Sequence, residues 1–600
     1  MSASCLCADF TCAKGREVPS ANGLIATAFE QIADLLELQD ANPFRVRAYR
    51  KAARLVAGLD ADLAALIRAG QPLPKLPGIG ADLAAKIVEI VTTGHSAMLD
   101  QLRTQVPPAV ADLLQLPGLG PKRVRLLYDE LHVQTLPQLL RAARDGRIVE
   151  LPGFGERTQQ RIVAAIEKKL SKAQRYKLGT AAPWADALLA HVKAAPGVID
   201  AAVAGSFRRA RDTVGDLDLI VAAEHSAPVV ERFAAYPEVR EVLAKGGTRA
   251  AIVLDSGIQV DLRVVPAASY GAALLYFTGS KAHNIALRTL AIGQGCKLNE
   301  HGLFKGETRI AGDTEVSVYR ALGLPWIAPE LREDRGEIDA AQRDTLPQLI
   351  ELADLAGDLH AHTNWSDGTA TIDEMAAAAK SRGLQYLAIS EHSRRLTVAH
   401  GLDATRLAQQ CAEIERANRG PRGITLLTGI EVDILDDGTL DLPDAALAPL
   451  DVVIAAVHSN WSLSREAQTR RVLRALASPH VAILAHPIGR LIDRREPYDV
   501  DMQAVIRRCA QRQIALELNA HPERLDLLDT WCRVAKDAGV PVAINSDAHA
   551  PNDFDNLRFG VGQARRGWLE RRDVLNTRPL AELRAWLRDR EGPHRLAHAA

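Results

Sequence analysis

One short phrase, Leu-Pro-Gly-x-Gly, occurs three times within 80 residues and constrains the front of the chain more than any other feature. The copies are Leu76–Gly80, Leu116–Gly120 and Leu151–Gly155, and apolar residues recur at three and four positions around them. A Gly-x-Gly turn between two helices lets the backbone come close to another molecule. The amides that open the following helix bind phosphate oxygens. The repeats therefore predict helical units that grip a nucleic-acid backbone without reading its sequence.

Charge is unevenly distributed along the 600 residues, although the formal net charge is only −1. Residues 20–175 contain 21 Lys and Arg against 16 Asp and Glu, whereas residues 331–600 contain 34 against 40. A basic front fits a polyanionic partner, and an acidic back fits metal-binding carboxylates. The repeated turns resemble the helix-hairpin-helix of DNA repair proteins, and this resemblance implies contacts with DNA, without sequence preference, at Gly78, Gly80, Gly118, Gly120, Gly153 and Gly155.

Composition excludes several other classes of protein. Hydrophobic residues make up 47% of the chain and charged residues 24%, as in ordinary globular proteins. No apolar run approaches the ~18 residues of a membrane helix, and no apolar stretch follows the basic residues near the start, so secretion is not expected. Seven cysteines in this length favour a reducing compartment. We expect a cytoplasmic, nucleoid-associated protein without a membrane partner.

Three carboxylates on two predicted strands form a second constellation. Asp216 and Asp218 are two apart on one strand, so both face the same side of the sheet. Asp261 lies on another strand rich in Val and Ile. Three acids that converge in this way can hold two divalent cations ~3.5–4 Å apart, which clamp the attacking and leaving oxygens of phosphoryl transfer. Mg²⁺ or Mn²⁺ is the expected ion, because it binds through carboxylates and substrate phosphates.

The segment Gly205–Asp218 opens with a Gly-Ser turn whose backbone can cradle phosphates, and an arginine in the same turn can reach them. Together with Asn42–Ala53 and Tyr276–Arg288, this segment resembles the family X DNA polymerases, from about residue 22 to 330. The resemblance implies that Gly205, Ser206, Arg209 and Gly215 contact the incoming triphosphate. It also implies that Tyr276, Phe277 and Gly279 line the sugar pocket, and that Asn284 and Arg288 approach the nascent base pair and template.

Some positions depart from the family pattern. Ala210 stands where the family usually has Gly, which would tighten the phosphate turn, and Gln259 stands where the vertebrate relative has Arg, which would weaken positioning of the primer end. Lys86 falls where the polymerase beta type carries its Schiff-base lysine, and such a lysine needs a lowered pKa. Asp82 replaces a basic residue one turn earlier. A surface lysine that contacts phosphate is therefore the alternative to lyase activity.

The back of the chain alternates short apolar runs with helical ones, which predicts βα repeats and a parallel sheet or barrel. Histidines and carboxylates follow almost every predicted strand, at the edge where barrel active sites assemble. Neutral imidazoles with shared carboxylates suit Zn²⁺ or Mn²⁺, and a cluster of such ions indicates phosphoester hydrolysis. The candidate ligands are His360, His362, Asp367, His392, Glu431, His458, His486, Asp547 and His549.

This half, about residues 354–575, resembles the PHP (polymerase and histidinol phosphatase) domain. The resemblance implies a distorted (β/α)₇ barrel that holds up to three metal ions. Glu391 replaces the Asp that is common beside His392. A family X polymerase followed by a PHP domain implies 3′-to-5′ exonuclease activity, and often abasic-site endonuclease activity, in the back part.

The predicted fold class is multidomain, with an all-α helix-hairpin-helix region, an α+β nucleotidyltransferase palm with a thumb, and a C-terminal α/β barrel. The predicted bounds are 1–19 for a flexible tail that carries three cysteines, 20–105 for a lyase-like helical domain with the first hairpin, 106–175 for a DNA-binding hairpin subdomain, 176–265 for the palm, 266–330 for a nucleotide-selecting subdomain, 331–353 for a polar linker and 354–600 for the PHP domain.

Three functions compete on this sequence. The leading hypothesis is a monomeric repair enzyme of the base excision type, which binds gapped or primer-template DNA, fills short gaps from dNTPs and trims DNA in its barrel. A second hypothesis is a nuclease whose polymerase half only binds DNA, as expected if Ala210 and Gln259 spoil the polymerase geometry. A third is a small-molecule phosphoesterase, against which the repeated DNA-gripping turns argue.

Overall fold

The computed structural model describes residues 21–589, with gaps in the first third of the chain. The gaps are 39–40, 58–62, 69–70, 72, 74–78, 94, 106–112, 114–115, 117–118, 134, 157, 164–165 and 167–174. The chain divides into two compact units, Met1–Ala173 and Gln174–Ala600. Within the described residues, no helix has the length and apolar character needed to cross a membrane.

The described part of the first unit is helical, as its apolar spacing predicts. Its helices are α1 (Ala21–Leu38), α2 (Pro43–Ala57), α3 (Leu63–Arg68), α4 (Ala81–Thr93), α5 (Ala97–Gln105), α6 (Pro121–Leu131) and α7 (Leu136–Arg144). Phe29 of α1 and Tyr49 of α2 are buried and meet edge to face, with ring centroids 5.6 Å apart. In the second repeat, Leu116 and Leu119 enter the core, while Gly120 caps α6. The leucines of the repeat thus anchor the turn, and the glycine opens the next helix.

The second unit begins with the palm, a five-stranded sheet in the order β2-β4-β7-β6-β5. The palm elements are β1 (Tyr176–Lys177), α8 (Leu178–Lys193), β2 (Val198–Val203), α9 (Gly205–Arg208), β3 (Thr213–Val214), β4 (Asp216–Ala223), α10 (Ser226–Ala234), β5 (Val239–Lys245), β6 (Arg249–Leu254) and β7 (Gln259–Val265). Strands β4 and β7 are parallel, and Asp218 lies directly opposite Asp261. This register places the acidic ends of both strands side by side.

The thumb follows the palm and combines helices with a three-stranded antiparallel sheet in the order β10-β9-β8. Its elements are α11 (Tyr270–Thr278), α12 (Lys281–Gly293), β8 (Lys297–Asn299), β9 (Gly302–Lys305), β10 (Thr308–Ala311) and α13 (Glu315–Ala321). At its centre Glu315 is bound by Arg208 of the palm and by Arg332, with Nη1–Oε1 distances of 2.7 and 2.6 Å. The ion pairs tie the thumb to the palm helix α9.

The segment 331–353 is not the loose polar linker that its composition suggests. Arg332 and Glu337 are fully buried, and helix α14 (Glu337–Gln342) packs against the thumb core through Ala341. Glu337 contacts the buried His283, with 2.6 Å between Oε1 and Nδ1. A polar composition was misleading here, because partners distant in sequence neutralise these charges and permit their burial.

The barrel has seven parallel strands that neighbour one another in chain order, as the βα rhythm predicts. They are β11 (Gly357–Ala361), β12 (Tyr386–Ile389), β13 (Thr425–Asp433), β14 (Val452–Ala456), β15 (Val481–Leu484), β16 (Ala515–Asn519) and β17 (Val542–Asn545). The first and last strands nearly close the ring, because the His362 amide donates to the Ala548 carbonyl at 2.8 Å. The predicted fold class is confirmed.

Helices connect and cover the strands, which explains why the strand residues are buried on both faces. These helices are α15 (Ile372–Ser381), α16 (Ala404–Asn418), α17 (Asp444–Leu447), α18 (Arg465–Ala475), α19 (Met502–Arg512), α20 (Asp529–Asp537), α21 (Leu557–Arg566) and α22 (Leu580–Asp589).

The barrel contributes side chains to the cores of both the palm and the thumb. Ile492, Leu525 and Phe559 pack within the apolar core of the palm, and Trp568 packs within that of the thumb. At Gly179 of the palm, an added Cβ would lie 2.3 Å from Cβ of Pro522. Palm, thumb and barrel therefore share a continuous packed interior.

Candidate active sites

The structure brings the nine histidines and carboxylates predicted as barrel ligands together at the carboxyl ends of the strands. Three groups have ligand atoms that all lie within 4.8 Å of one another. The groups are His362 with Asp367, His392 and His549; His360 with His362 and Asp547; and His392 with Glu431 and His458. His486 joins them through Glu431, with 2.9 Å between Nε2 and Oε1. Three adjoining groups match the expectation of up to three ions.

Glu431 lies at the centre of this cluster. Its Oε2 is 2.6 Å from Nδ1 of His392 and 3.5 Å from Nε2 of His360, and its Oε1 is 3.2 Å from Nε2 of His458. Burial raises the pKa of Glu431, but the surrounding histidines outweigh burial and hold it well below its usual range. Oε1 of Glu431 is hydrogen-bonded to Nε2 of His486, whereas its Oε2 has no hydrogen-bond partner, so this ionised carboxylate could serve as a metal ligand.

Several nitrogen and oxygen atoms of the cluster are buried without a hydrogen-bond partner. Buried polar atoms are almost always paired, so an unpaired set calls for an explanation such as a bound ion. The donor chemistry, imidazole and carboxylate, is the one that transition-metal ions and Zn²⁺ select. The unpaired atoms are Nε2 of His360, both ring nitrogens of His362, Nδ1 of His392, Oε2 of Glu431, Nε2 of His458 and Nδ1 of His486.

Outer carboxylates orient two of the histidines. Glu517 accepts from Nδ1 of His360 at 2.7 Å, and Asp433 accepts from Nδ1 of His458 at 2.8 Å, which leaves Nε2 of each ring facing the cluster. Such partners fix the tautomer of a metal ligand. Burial lowers the pKa of His362 to about 3, with help from its neighbours His549 and His392, so its ring is neutral and able to ligate.

The residue that departs from the family pattern beside His392 lies just outside the cluster. Glu391 is fully buried and accepts hydrogen bonds from Thr363, Ser366 and Gln410. Glu391 thus holds the loop that carries Asp367 through hydrogen bonds to Thr363 and Ser366, and it does not displace any of the candidate ligands.

Sequence reasoning missed Arg524, which follows strand β16. Its Nε is 3.6 Å from Oδ2 of Asp547, and its Nη1 is buried without a hydrogen-bond partner. A planar guanidinium with an unpaired N–H donor, next to candidate metal ligands, can donate a hydrogen bond to a phosphate oxygen. An isolated arginine in a Pro-Glu-Arg-Leu stretch carries no periodic signal, so only its position in space reveals it.

The palm carboxylates meet less tightly than the barrel ligands. Asp218 and Asp261 are partners in the β4–β7 register, and Asp216 is exposed at the mouth of the same edge. The three do not form a group with ligand atoms within 4.8 Å; among the described residues, such groups occur in the barrel. Burial, followed by the charges of Asp216 and Asp261, raises the pKa of Asp218 to about 7. Burial and the two neighbouring carboxylates thus all favour the protonated form of Asp218, and a cation bound at this edge would favour the ionised form.

The Gly-Ser turn lies against this acidic edge. Gly205 has φ +61°, and a Cβ at this position would lie 2.4 Å from Oδ2 of Asp218. Only glycine therefore allows the turn to approach the carboxylate. Ser206 is half-buried in the same turn, and Gly215, between β3 and β4, lies beside Arg175, whose Nη1 would be 3.6 Å from an added Cβ.

Arg209 crosses from this turn to helix α11. Its Nη1 donates to the Thr278 carbonyl and would lie 3.2 Å from a Cβ at Gly279, while its Nε donates to Oε1 of Glu333 at 3.1 Å. The side chain is 14% exposed. Arg209 thus links the predicted phosphate turn to the predicted sugar pocket, but Glu333 engages its charge.

The aromatic pair of the predicted sugar pocket lies at the end of α11. Tyr276 and Phe277 meet edge to face with centroids 5.0 Å apart. Asn284 donates to the Tyr276 carbonyl at 2.7 Å, and Arg288 lies over the Tyr276 ring at 5.1 Å. Arg263, two residues after Asp261, lies over Phe277 at 4.5 Å and connects the pocket to the acidic strand. The structure therefore gathers the predicted pocket residues in one place.

Both departures in the palm have a local explanation. Gln259 donates to Oδ2 of Asp261 at 2.9 Å and so steadies the carboxylate that an arginine would otherwise face. Ala210 has φ +51°, a conformation that favours glycine. A Cβ at Gly562 of the barrel would lie 2.9 Å from the Ala210 methyl group. The barrel accommodates that methyl group by carrying glycine opposite it.

Lys86 lies on α4 and pairs with Asp82, one turn earlier. Burial lowers the pKa of Lys86, but the hydrogen bond to Asp82 outweighs it and leaves the pKa raised. A Schiff-base lysine needs the opposite shift, so this contact gives no support to lyase activity.

The repeat glycines present open backbone. Among the residues that the structure describes, none would lie within 4 Å of a Cβ added at Gly80, Gly120, Gly153 or Gly155. Gly78 and Gly118 lie outside the described residues. Arg123 is held near the third repeat by its bond to the Gly153 carbonyl at 2.9 Å.

Family models match four parts of the chain. Residues 20–96 match a helix-hairpin-helix domain, and residues 110–168 match a SAM-like helix-hairpin-helix tandem. Residues 273–333 match the DNA polymerase beta thumb, and residues 358–521 match the PHP domain.

Curated proteins match either most of the chain or somewhat more than a third of it. The DNA polymerase/3′-5′ exonuclease PolX of Bacillus subtilis is 39% identical over 571 residues, which cover 94% of this chain and 99% of that protein. A probable phosphatase of Thermoanaerobacter is 29% identical over 250 residues, or 39% of this chain and 95% of that protein. A probable phosphatase of Caldanaerobacter subterraneus is 31% identical over 214 residues, or 34% of this chain and 78% of that protein.

Proposed function

The chain belongs to the family X DNA polymerases that carry a C-terminal PHP domain, and we propose that it extends DNA primers at its palm and hydrolyses DNA 3′ ends at its barrel. The observation that carries this proposal is the presence of two separate acidic centres in one unit, one at the palm edge and one in the barrel. Within this division of labour, filling of short gaps during base excision repair is the proposed role of the palm.

The palm supports nucleotidyl transfer through its three carboxylates. Asp216 and Asp218 would hold both divalent ions, Mg²⁺ or Mn²⁺, and Asp261 would face the primer 3′-hydroxyl. Bound ions supply Lewis acidity at the reacting phosphate. The register that sets Asp218 directly opposite Asp261 supports this role, because carboxylates on neighbouring strands can hold cations between them. The primer hydroxyl attacks the α-phosphate of a dNTP, and pyrophosphate leaves.

The palm and thumb residues around this edge would hold the nucleotide. The Gly205 turn approaches Asp218 closely, and Arg209 reaches from that turn to Gly279. The rigid edge-to-face pair of Tyr276 and Phe277 suits a wall that excludes a 2′-hydroxyl. Asn284 and Arg288 flank this pair and would face the nascent base pair.

The barrel supports phosphoester hydrolysis. Its unpaired histidine and carboxylate atoms fit Mn²⁺ or Zn²⁺, which supply Lewis acidity to activate water and neutralise phosphate charge when bound. Glu431 would help to hold the ions, while Glu517 and Asp433 leave Nε2 of His360 and of His458 available as ligands. The open guanidinium of Arg524 would bind an oxygen of the scissile phosphate.

The open glycine turns support DNA as the substrate. Backbone amides at Gly80, Gly120 and Gly155 open helices with free space above them, and such helix ends bind phosphates. Binding of this kind reads no base sequence, which suits an enzyme that works on gapped or primer-template DNA wherever damage occurs. We propose that the enzyme acts on such DNA as a monomer.

Paired substitutions test whether the two centres act separately. Asp216→Ala with Asp218→Ala should abolish primer extension on gapped DNA and spare 3′ trimming, and His360→Ala with His362→Ala should do the reverse. Measurement of both activities on each purified variant, with circular dichroism as a folding control, decides. Loss of both activities in a folded variant would overturn separate sites, and a wild-type protein that trims DNA without extending it would leave a nuclease whose palm only binds DNA.

A further inference from the structure

The barrel reaches into the nucleotide site of the palm through one arginine. Arg566, at the end of α21, is 3% exposed. Its Nη1 donates to the Arg209 carbonyl at 2.8 Å and to Oε1 of Glu333 at 2.9 Å. Its Nη2 donates to Oδ2 of Asp529 at 2.8 Å. A residue of the PHP half therefore contacts both the backbone and the ion-pair partner of the predicted triphosphate-binding arginine.

Glu333 accepts hydrogen bonds from two arginines, and a third, Arg211, has its Nη1 3.9 Å from Oε1 of the same carboxylate. Oε1 is the atom that accepts both from Nε of Arg209 at 3.1 Å and from Nη1 of Arg566 at 2.9 Å. Burial raises the pKa of Glu333, but Arg209 and then Arg566 lower it, so the carboxylate is charged. A triphosphate must compete with this carboxylate for the Arg209 guanidinium. Any charge that Arg566 neutralises on Glu333 weakens that competition.

We propose that Arg566 is a positioning residue of the polymerase: it shares Oε1 of Glu333 with Arg209, weakens the hold of Glu333 on Arg209 and so favours transfer of Arg209 to the triphosphate of the incoming dNTP. The proposal rests on the proposed polymerase function and assigns to the barrel a part in nucleotide binding. Arg566 touches neither substrate nor metal and acts through Glu333 and through the Arg209 carbonyl. Its partner Asp529, which also accepts from Arg335 at 2.9 Å, keeps its guanidinium in place.

Two further contacts show that the barrel fits this turn closely. The methyl group of Ala210, next to Arg209, faces Gly562 one turn before Arg566 on α21. On the other side of the turn, Arg490 of the barrel donates to Oδ2 of Asp212 at 2.9 Å. The phosphate turn is thus bounded by barrel residues at Ala210 and Asp212, which limits how far it can shift when Arg209 changes partner.

Single-nucleotide insertion on a gapped duplex, measured across dNTP concentrations with the full chain, tests the proposal. Arg566→Gln should raise the KM for dNTP roughly ten- to a hundredfold, the size expected for lost charge-assisted hydrogen bonds, while kcat changes less than about threefold. Exonuclease activity should stay within about twofold of wild type, since the barrel ligands are untouched.

The matched control is Arg558→Gln on the same helix. Arg558 also joins barrel to palm, with 3.1 Å between its Nη1 and Oδ2 of Asp186, but this pair is half exposed and far along α21 from the phosphate turn. This variant should leave both KM and exonuclease activity unchanged. A rise in KM equal to that of Arg566→Gln would show that any loosening of the interface suffices, which overturns the specific role of Arg566.

Glu333→Gln distinguishes two explanations: that Glu333 competes with the triphosphate for Arg209, or that it merely holds Arg209 in place. It should leave the KM for dNTP unchanged or lower, and it should restore a near-normal KM when combined with Arg566→Gln. If Glu333→Gln raises KM as Arg566→Gln does, or if Arg566→Gln leaves KM unchanged, the proposal is wrong. A wild-type protein that inserts no nucleotide would instead refute the proposed function itself.

Discussion

The barrel and palm centres differ in how complete they are before any substrate arrives. In the barrel, eight residues form groups whose ligand atoms lie within 4.8 Å of one another, and outer carboxylates orient two of the rings. In the palm, three carboxylates share an edge, one of them exposed, without reaching that spacing. The barrel site is built from protein alone. The palm site leaves room for substrate phosphates to complete its metal coordination, which is how Mg²⁺ is usually bound.

Among these substitutions, removal of the Glu431 carboxylate should cause the largest loss of activity. A small loss would contradict the difference between a preformed barrel site and an incomplete palm site. Glu431→Gln removes the charge shared by five histidines, so we expect metal content to fall and exonuclease activity to drop about 1,000-fold or more. Metal analysis by mass spectrometry and 3′-trimming assays check this. Primer extension should be unchanged; retention of metal and trimming would show that the cluster is not preformed.

The palm relies on ion pairs around it for rigidity, and Glu315 tests this. Glu315→Gln leaves Arg332 buried without its charged partner and should lower the free energy of unfolding by about 3 kcal/mol, measured by urea titration. Burial raises the pKa of Glu315, but Arg332 and Arg208 hold it at about 2, below its ordinary 4.5. The stabilisation is therefore complete above about pH 4.5 and is lost as pH falls toward 2.

The difference between wild type and Glu315→Gln should accordingly shrink as pH is lowered from 5 toward 2. A difference in the free energy of unfolding that stays constant over this range would mean that Arg332 and Arg208 do not lower the pKa of Glu315. Glu231→Gln is the control, since Glu231 pairs with Lys245 at the surface and its loss should change the free energy of unfolding by less than about 1 kcal/mol.

Substitution of Asp433, the carboxylate that orients the His458 ring, should reduce exonuclease activity less than substitution of Glu431 does. Asp433→Asn weakens the hold on Nδ1 of His458, and loss of such a partner costs about 10- to 100-fold in metal affinity or activity. Titration of Mn²⁺ in the trimming assay measures it. Asp437→Asn, at an exposed position four residues further on, should behave as wild type. Equal behaviour of the two variants would show that ring orientation does not matter.

The smallest effect is expected in the palm at Gln259. Gln259→Ala removes one hydrogen bond to Asp261, a loss of about 1 kcal/mol, so primer extension should slow about two- to tenfold. Single-turnover extension rates measure the change. An unchanged extension rate would mean that the bound substrate, rather than Gln259, orients the Asp261 carboxylate. The palm site would then reach its active geometry only when the substrate binds.

Periodicity and spacing predicted much of this architecture. The apolar runs of the back half became the strands of the barrel, and the ligands at their ends converged, because strand ends in a parallel barrel share one rim. The Asp-x-Asp spacing likewise predicted that Asp216 and Asp218 share a side with Asp261, and the β4–β7 register agrees.

Other features depend on partners that are distant in sequence. Residues 331–353 look like a linker because the partners of Arg332 and Glu337 lie in other elements. Arg524 and Glu517 carry no pattern of their own and gain meaning only beside Asp547 and His360. The contact of Arg566 with the phosphate turn joins residues more than 350 positions apart, and no local signal encodes it.

The burial of Ile492, Leu525 and Phe559 inside the palm means that the polymerase and nuclease halves are not interchangeable modules. Without the barrel, the palm would expose to water the apolar surface that these three side chains cover. Without the palm, the barrel would expose the three side chains themselves. Heating should therefore unfold the palm, the thumb and the barrel in a single cooperative transition.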